Sequence, residues 1–132
     1  MKTILVTGTS SGIGQQICIQ AANNNFRVLS VSRNIDPLKD INAIESFVLD
    51  ITEKDSVDEF ISNLKIRKIK IDILINNAGY LKSELFSETT YDSFKTTFDV
   101  NVFGLAEITR SLIPIINKDG HVINISSIGG VN

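Results

Sequence analysis

The sequence predicts an α/β domain: a doubly wound parallel sheet of about five strands, order 3-2-1-4-5, with helices on both faces. Three observations carry that reading. Short apolar runs alternate with longer helical patterns along the whole chain. The runs are near-continuously apolar, as strands covered on both faces must be. The first run ends in a glycine-rich turn that leads straight into a helical pattern.

The elements follow in order. Residues 2–7 (KTILVT) read as a buried strand bounded by Gly8. Residues 13–24 read as a helix with Ile13, Ile17 and Ala21 on one face, ended by Asn23-Asn24-Asn25. Residues 26–31 (FRVLSV) form the second strand, and 36–42 a short helical turn with Pro37 at its first position. Residues 45–49 form the third strand. Thr52 precedes a helix through about Lys68, whose inner face is Val57, Phe60, Ile61 and Leu64. Acidic residues early in it and basic ones late suit the helix dipole. Residues 71–75 (IDILI) form the fourth strand. A long helix covers 88–117, with Phe94, Phe98, Val102, Leu105 and Leu112 on a buried stripe, and Pro114 closes or kinks its end. Residues 121–125 (HVINI) form the fifth strand. Right-handed crossovers turn this order into a Rossmann-type sheet.

Composition narrows the function. The chain has 132 residues, 42% hydrophobic and 21% charged, with a net charge of −2. No basic field exists to hold nucleic acid or an anionic membrane. No apolar run approaches the ~18 residues of a membrane span. The single cysteine, Cys18, excludes an internal disulfide and any paired-thiol metal site, and suits a reducing cytoplasm. The single histidine, His121, opens the fifth strand at the end away from the glycine turn, so no histidine-based triad is expected.

The turn Thr7-Gly8-Thr9-Ser10-Ser11-Gly12-Ile13-Gly14 between strand and helix is a phosphate site. Free N–H groups and the positive dipole end of the helix face an anion, and glycine lets the backbone approach it closely. A P-loop is excluded, because Gln15 and Gln16 stand where Lys-Ser/Thr is required. Dinucleotide folds that use NAD commonly carry a carboxylate at the end of the second strand. Here that strand ends in Val31-Ser32-Arg33-Asn34. Arg33 offers a planar cation for a 2′-phosphate and Ser32 a hydroxyl, which favours NADP over NAD.

The spacing Thr-Gly-x-x-x-Gly-x-Gly, together with Asn76-Asn77-Ala78-Gly79 after the fourth strand, resembles the classical short-chain dehydrogenase/reductase family. Asn101 in the long helix and Asn124-Ile125-Ser126-Ser127, running into Gly129-Gly130, agree with it. The resemblance implies an NADP-dependent oxidoreductase moving hydride between nicotinamide and a small-molecule carbonyl or alcohol. It places Gly8, Ser10, Ser11, Gly12, Ile13 and Gly14 at the pyrophosphate and Arg33 at the 2′-phosphate. Asp50 would accept from the adenine amine, with Ile51 beside the ring. Asn77, Ala78 and Gly79 would run along the cofactor, and Asn76 would brace the sheet. Asn101 would hold a water of the proton relay, and Ser127 would hydrogen-bond the substrate carbonyl.

The family's Tyr-x-x-x-Lys acid–base pair follows its serine, whereas this sequence runs only to Asn132. Tyr91 and Lys95 have the pair's spacing but precede both Asn101 and Ser127, so they are read as packing and surface residues. Residues 1–132 are therefore expected to form one NAD(P)-binding domain that lacks the family's C-terminal part. The alternative is a nucleotide-binding or partner-binding remnant without catalysis. A homo-oligomer is expected through the long helix 88–117 or the edge strand 121–125.

Overall fold

The computed structural model describes residues 1–127; Gly129 and Gly130 lie outside the described residues. Five strands form one parallel sheet, β1 (Thr3–Thr7), β2 (Arg27–Ser32), β3 (Ile44–Val48), β4 (Ile71–Asn76) and β5 (Ile116–Asn124), in the order β3-β2-β1-β4-β5. Every neighbouring pair is parallel, with Leu5 level with Leu29 on one side and Leu74 on the other. The helices are α1 (Gly12–Asn23), α2 (Lys54–Ile66), α3 (Tyr91–Phe98) and α4 (Leu105–Leu112).

The sheet is central because β1 is apolar on both faces. Ile4 and Val6 pack with Cys18 and Val28 on one side, while Leu5 packs with Leu29, Leu74 and the inner face of α2 on the other. Val57, Phe60, Ile61 and Leu64 are all buried, as their spacing predicts. Phe60 meets Phe47 of β3 edge-on, with ring centroids 4.9 Å apart. Burial pushes the Cys18 thiol up to about 12, so it stays protonated in the core.

Several expectations need correction. Ile13 is 63% exposed; the inner side of α1 is Gly14 and Cys18, with Ile17 and Ala21 half-buried. Residues 36–42 make successive turns and no helix, closed by bonds such as Leu38 N–H to the Ile35 carbonyl. The long helix is not continuous. A π-helical segment, Asp99–Gly104, separates α3 from α4, and Pro114 sits in a terminal 3-10 turn, Ile113–Ile115. Its apolar stripe is not buried either. Phe94, Phe98 and Val102 are 42%, 50% and 45% exposed, and the face closes only further on, at Ile108 and Leu112. The segment Ile116–Gly120, which lacks a strand pattern, joins β5. Ile116 pairs with Ile71 and His121 with Ile73, so residues between them bulge out, and regular pairing runs from His121 to Asn124.

Candidate functional site

Three strand ends are tied together where β1 stops. Thr7 is buried, and its hydroxyl accepts from the N–H groups of Asn77 (3.1 Å) and Ala78 (3.0 Å). Asn77 Nδ2 donates to the Gly8 carbonyl at 2.9 Å, and Gly8 N–H donates to Val31 of β2 at 2.9 Å. The loops after β1, β2 and β4 are thus one assembly, at the carboxyl ends where open α/β sheets bind ligands.

The glycine turn is shaped by contact and by open space. Gly8 has φ +70°, and a Cβ there would lie 2.6 Å from Ala78 Cα. A Cβ on Gly14 would strike the Gly8 carbonyl and the Asn77 amide. Gly12, with φ +57°, faces nothing within 4 Å. Ser11 caps α1 without a side-chain hydrogen bond, and the first turn holds no acidic residue. Among the described residues no side chain caps the N-terminal N–H groups and dipole end of α1, which open beside Gly12 onto free space, and that is the arrangement an anion fits.

A cleft of about 620 Å³ opens over these strand ends. It gathers most of the sequence-predicted residues: Gly8, Ser10, Ser11, Ser32, Arg33, Asp50, Ile51, Asn77, Ala78 and Gly79. Gly12 and Ile13 line an adjoining groove along α1, and Gly14 is buried beneath the turn. Arg33 is exposed and has no carboxylate within ion-pair distance among the described residues. Ser32 is more constrained than expected: its hydroxyl donates to the Asn34 carbonyl at 2.6 Å, so it meets a ligand as a donor only by giving that bond up. Asp50 Oδ1 accepts from Thr52 N–H (2.9 Å) and Oγ1 (2.7 Å), which leaves Oδ2 for another donor.

Asn76 braces the sheet: its amide donates to Thr109 on α4 and to Asn124 on β5, both at 2.9 Å. Asn101 stands behind the cleft. Its side chain grips the backbone of Tyr80, and its Oδ1 lies 3.5 Å from where a Gly79 Cβ would be. Ser127 lies beyond β5 and does not line the cleft, and neither does His121. Tyr80, Thr96, Asp99 and Val100 do line it and were missed. A signal existed, since Thr96, Asp99 and Val100 are spaced on one helical face just before Asn101.

Comparisons with known proteins agree with this geometry. The family model for short chain dehydrogenases matches residues 2–132. An uncharacterized oxidoreductase of Staphylococcus saprophyticus is 32% identical over 98% of this chain and 60% of its own length. A 3-oxoacyl-[acyl-carrier-protein] reductase of Buchnera aphidicola is 30% identical over 98% of this chain and 56% of its own. A solved short-chain dehydrogenase from Streptomyces avermitilis superposes with TM-score 0.89 at 34% identity, covering 98% of this chain and 50% of that one. A 4-hydroxyisoleucine dehydrogenase solved with NADH and succinate gives TM-score 0.87 at 25% identity, covering 98% and 60%. The chain belongs to the short-chain dehydrogenase family. It spans 60% of the length of the Staphylococcus relative and 56% of the Buchnera one.

Proposed function

We propose that the chain is the cofactor-holding part of an NADP-dependent oxidoreductase acting on a small carbonyl or alcohol. The observation that carries the NADP preference is Arg33, an exposed cation in the cleft at the end of β2, where no carboxylate stands. The turn at Gly8, Ser10, Ser11 and Gly12, with Ile13 and Gly14 at the start of α1, would hold the pyrophosphate; Asp50 and Ile51 would hold the adenine. Asn77, Ala78 and Gly79 would run beside the rest of the dinucleotide. When bound, NADP supplies the hydride donor or acceptor.

Ser127 would polarise the substrate carbonyl. Asn101 keeps one amide N–H and one Oδ1 lone pair beyond its two bonds to Tyr80, and these would hold a relay water. The acid–base pair would be Tyr-x-x-x-Lys on the C-terminal side of Ser127. Both tyrosines of this sequence, Tyr80 and Tyr91, precede Asn101. That placement favours a second reading, in which these residues bind nucleotide and catalyse nothing by themselves. Titration with NADPH and NADH tests the cofactor reading, and carbonyl-dependent NADPH oxidation separates the two. Binding without turnover selects the second reading, and binding of neither nucleotide removes both. A cytoplasmic location goes with this reading; among the described residues no helix is long and apolar enough to cross a membrane.

A further inference from the structure

Gly104 closes the π-helical segment, is buried, and does not line the nucleotide cleft. The space its missing Cβ would take is bounded by Ile51 and Asp99. An added Cβ would lie 3.1 Å from Ile51 Cγ1, 3.2 Å from Ile51 Cδ1 and 2.8 Å from the Asp99 carbonyl oxygen. Both Ile51 and Asp99 line the cleft. They also line a second groove on the far side, shared with Gly104, Phe103 and Val57. The cleft wall is therefore one residue thick here, and Gly104 supports it from behind.

We infer that Gly104 is a positioning residue for the adenine side of the cleft: the absence of its side chain sets how far Ile51 and Asp99 stand back. This rests on the nucleotide-binding reading. The backbone at Gly104 lies close to that of Asp99, because the wide π turn brings the two together. The Asp99 carbonyl, the tighter contact, must shift to admit a methyl, and Ile51 must give by a few tenths of an ångström; both residues line the cleft. A methyl at position 104 thus narrows the cleft without touching what binds there.

Calorimetric titration of NADPH into the wild-type chain, Gly104→Ala, Ile51→Ala and the double variant tests this, with circular dichroism to check folding. Gly104→Ala should weaken binding roughly tenfold. In the Ile51→Ala background it should cost less than in the wild type, because only the Asp99 contact remains to be relieved. A purely helix-disrupting substitution would instead multiply the two losses. Equal affinity of wild type and Gly104→Ala, or fully multiplicative losses, overturns the inference and leaves the cofactor reading intact. Failure of the wild-type chain to bind NADPH or NADH overturns both. Should Gly104→Ala not fold, amide exchange on the wild type decides. The Gly104 and Leu105 amides should slow when NADPH binds, and unchanged exchange there overturns the inference.

Discussion

Asn101 holds Tyr80 by both backbone groups. Its Oδ1 accepts from the Tyr80 N–H at 2.8 Å, and its Nδ2 donates to the Tyr80 carbonyl at 2.8 Å. A residue whose type is mildly unfavourable in a helix interior thus clamps the loop after β4 to the π segment. Asn101→Ala removes both bonds and leaves two half-buried backbone groups unpaired. The expected loss is about 2 kcal/mol, read as a lower midpoint in urea. Asn101→Asp keeps the acceptor and loses only the donor, so it should fall between the two. Equal midpoints for all three proteins would refute the clamp.

Arg33 should act on one cofactor and not the other. If Arg33 reads the 2′-phosphate, Arg33→Ala removes a charge-assisted contact, and NADPH binding should weaken by about 10- to 100-fold. NADH affinity should change less than about threefold. The ratio of dissociation constants from parallel titrations is the readout, and an equal loss for both nucleotides would argue against Arg33 reading the 2′-phosphate.

The two positive-φ glycines of the turn should separate folding from binding. Gly8→Ala drives a carbon into Ala78 and strains φ +70°, so the domain should be severely destabilised. Gly12→Ala meets nothing and carries only the left-handed strain, about 1–2 kcal/mol. It should fold, yet bind nucleotide more weakly, because its methyl enters the open space at the start of α1. Melting temperatures and titrations of the pair check this.

Asp72 ties three strands and should make stability depend on acid. Its carboxylate accepts from Thr3 N–H (2.7 Å) and Asn117 Nδ2 (2.8 Å). The Thr3 backbone bond first, and then Asn117, hold it below the usual carboxylate range. A lowered native pKa contributes stability above the unfolded value, and that contribution fades as the pH falls through the native one. Wild type should therefore lose stability from about pH 5 downward, and Asp72→Asn should lose less over the same range while being about 1 kcal/mol weaker near neutrality. Parallel urea titrations across that range give the two slopes.

What the sequence made legible depended on burial. β1, β2 and β4 are covered on both faces, so an apolar run with a sharp end was enough to place each within a residue or two. The inner face of α2 was equally plain, because four spaced residues meet the sheet together. The stripe of α3 misled because amphipathic spacing says which residues share a face, not what covers it. Phe94 and Phe98 share one, yet both remain substantially exposed. The π segment has no periodic signature; Asn101 and Gly104 are its only marks, and the role of Gly104 depends on Ile51, far off in sequence. Most residues lining the cleft were legible because a glycine turn and the ends of parallel strands meet in any doubly wound sheet. Tyr80, Thr96, Asp99 and Val100 were not, since their place depends on how α3 and the π segment lean over the cleft.

The proposed ligand of these residues is a 2′-phosphorylated dinucleotide. The most direct test is calorimetric titration of the 132-residue chain with NADPH and NADH in the same buffer. The expected result is one site per chain, with NADPH binding at least about tenfold tighter than NADH. Tighter binding of NADH, or heat from neither nucleotide, would contradict it.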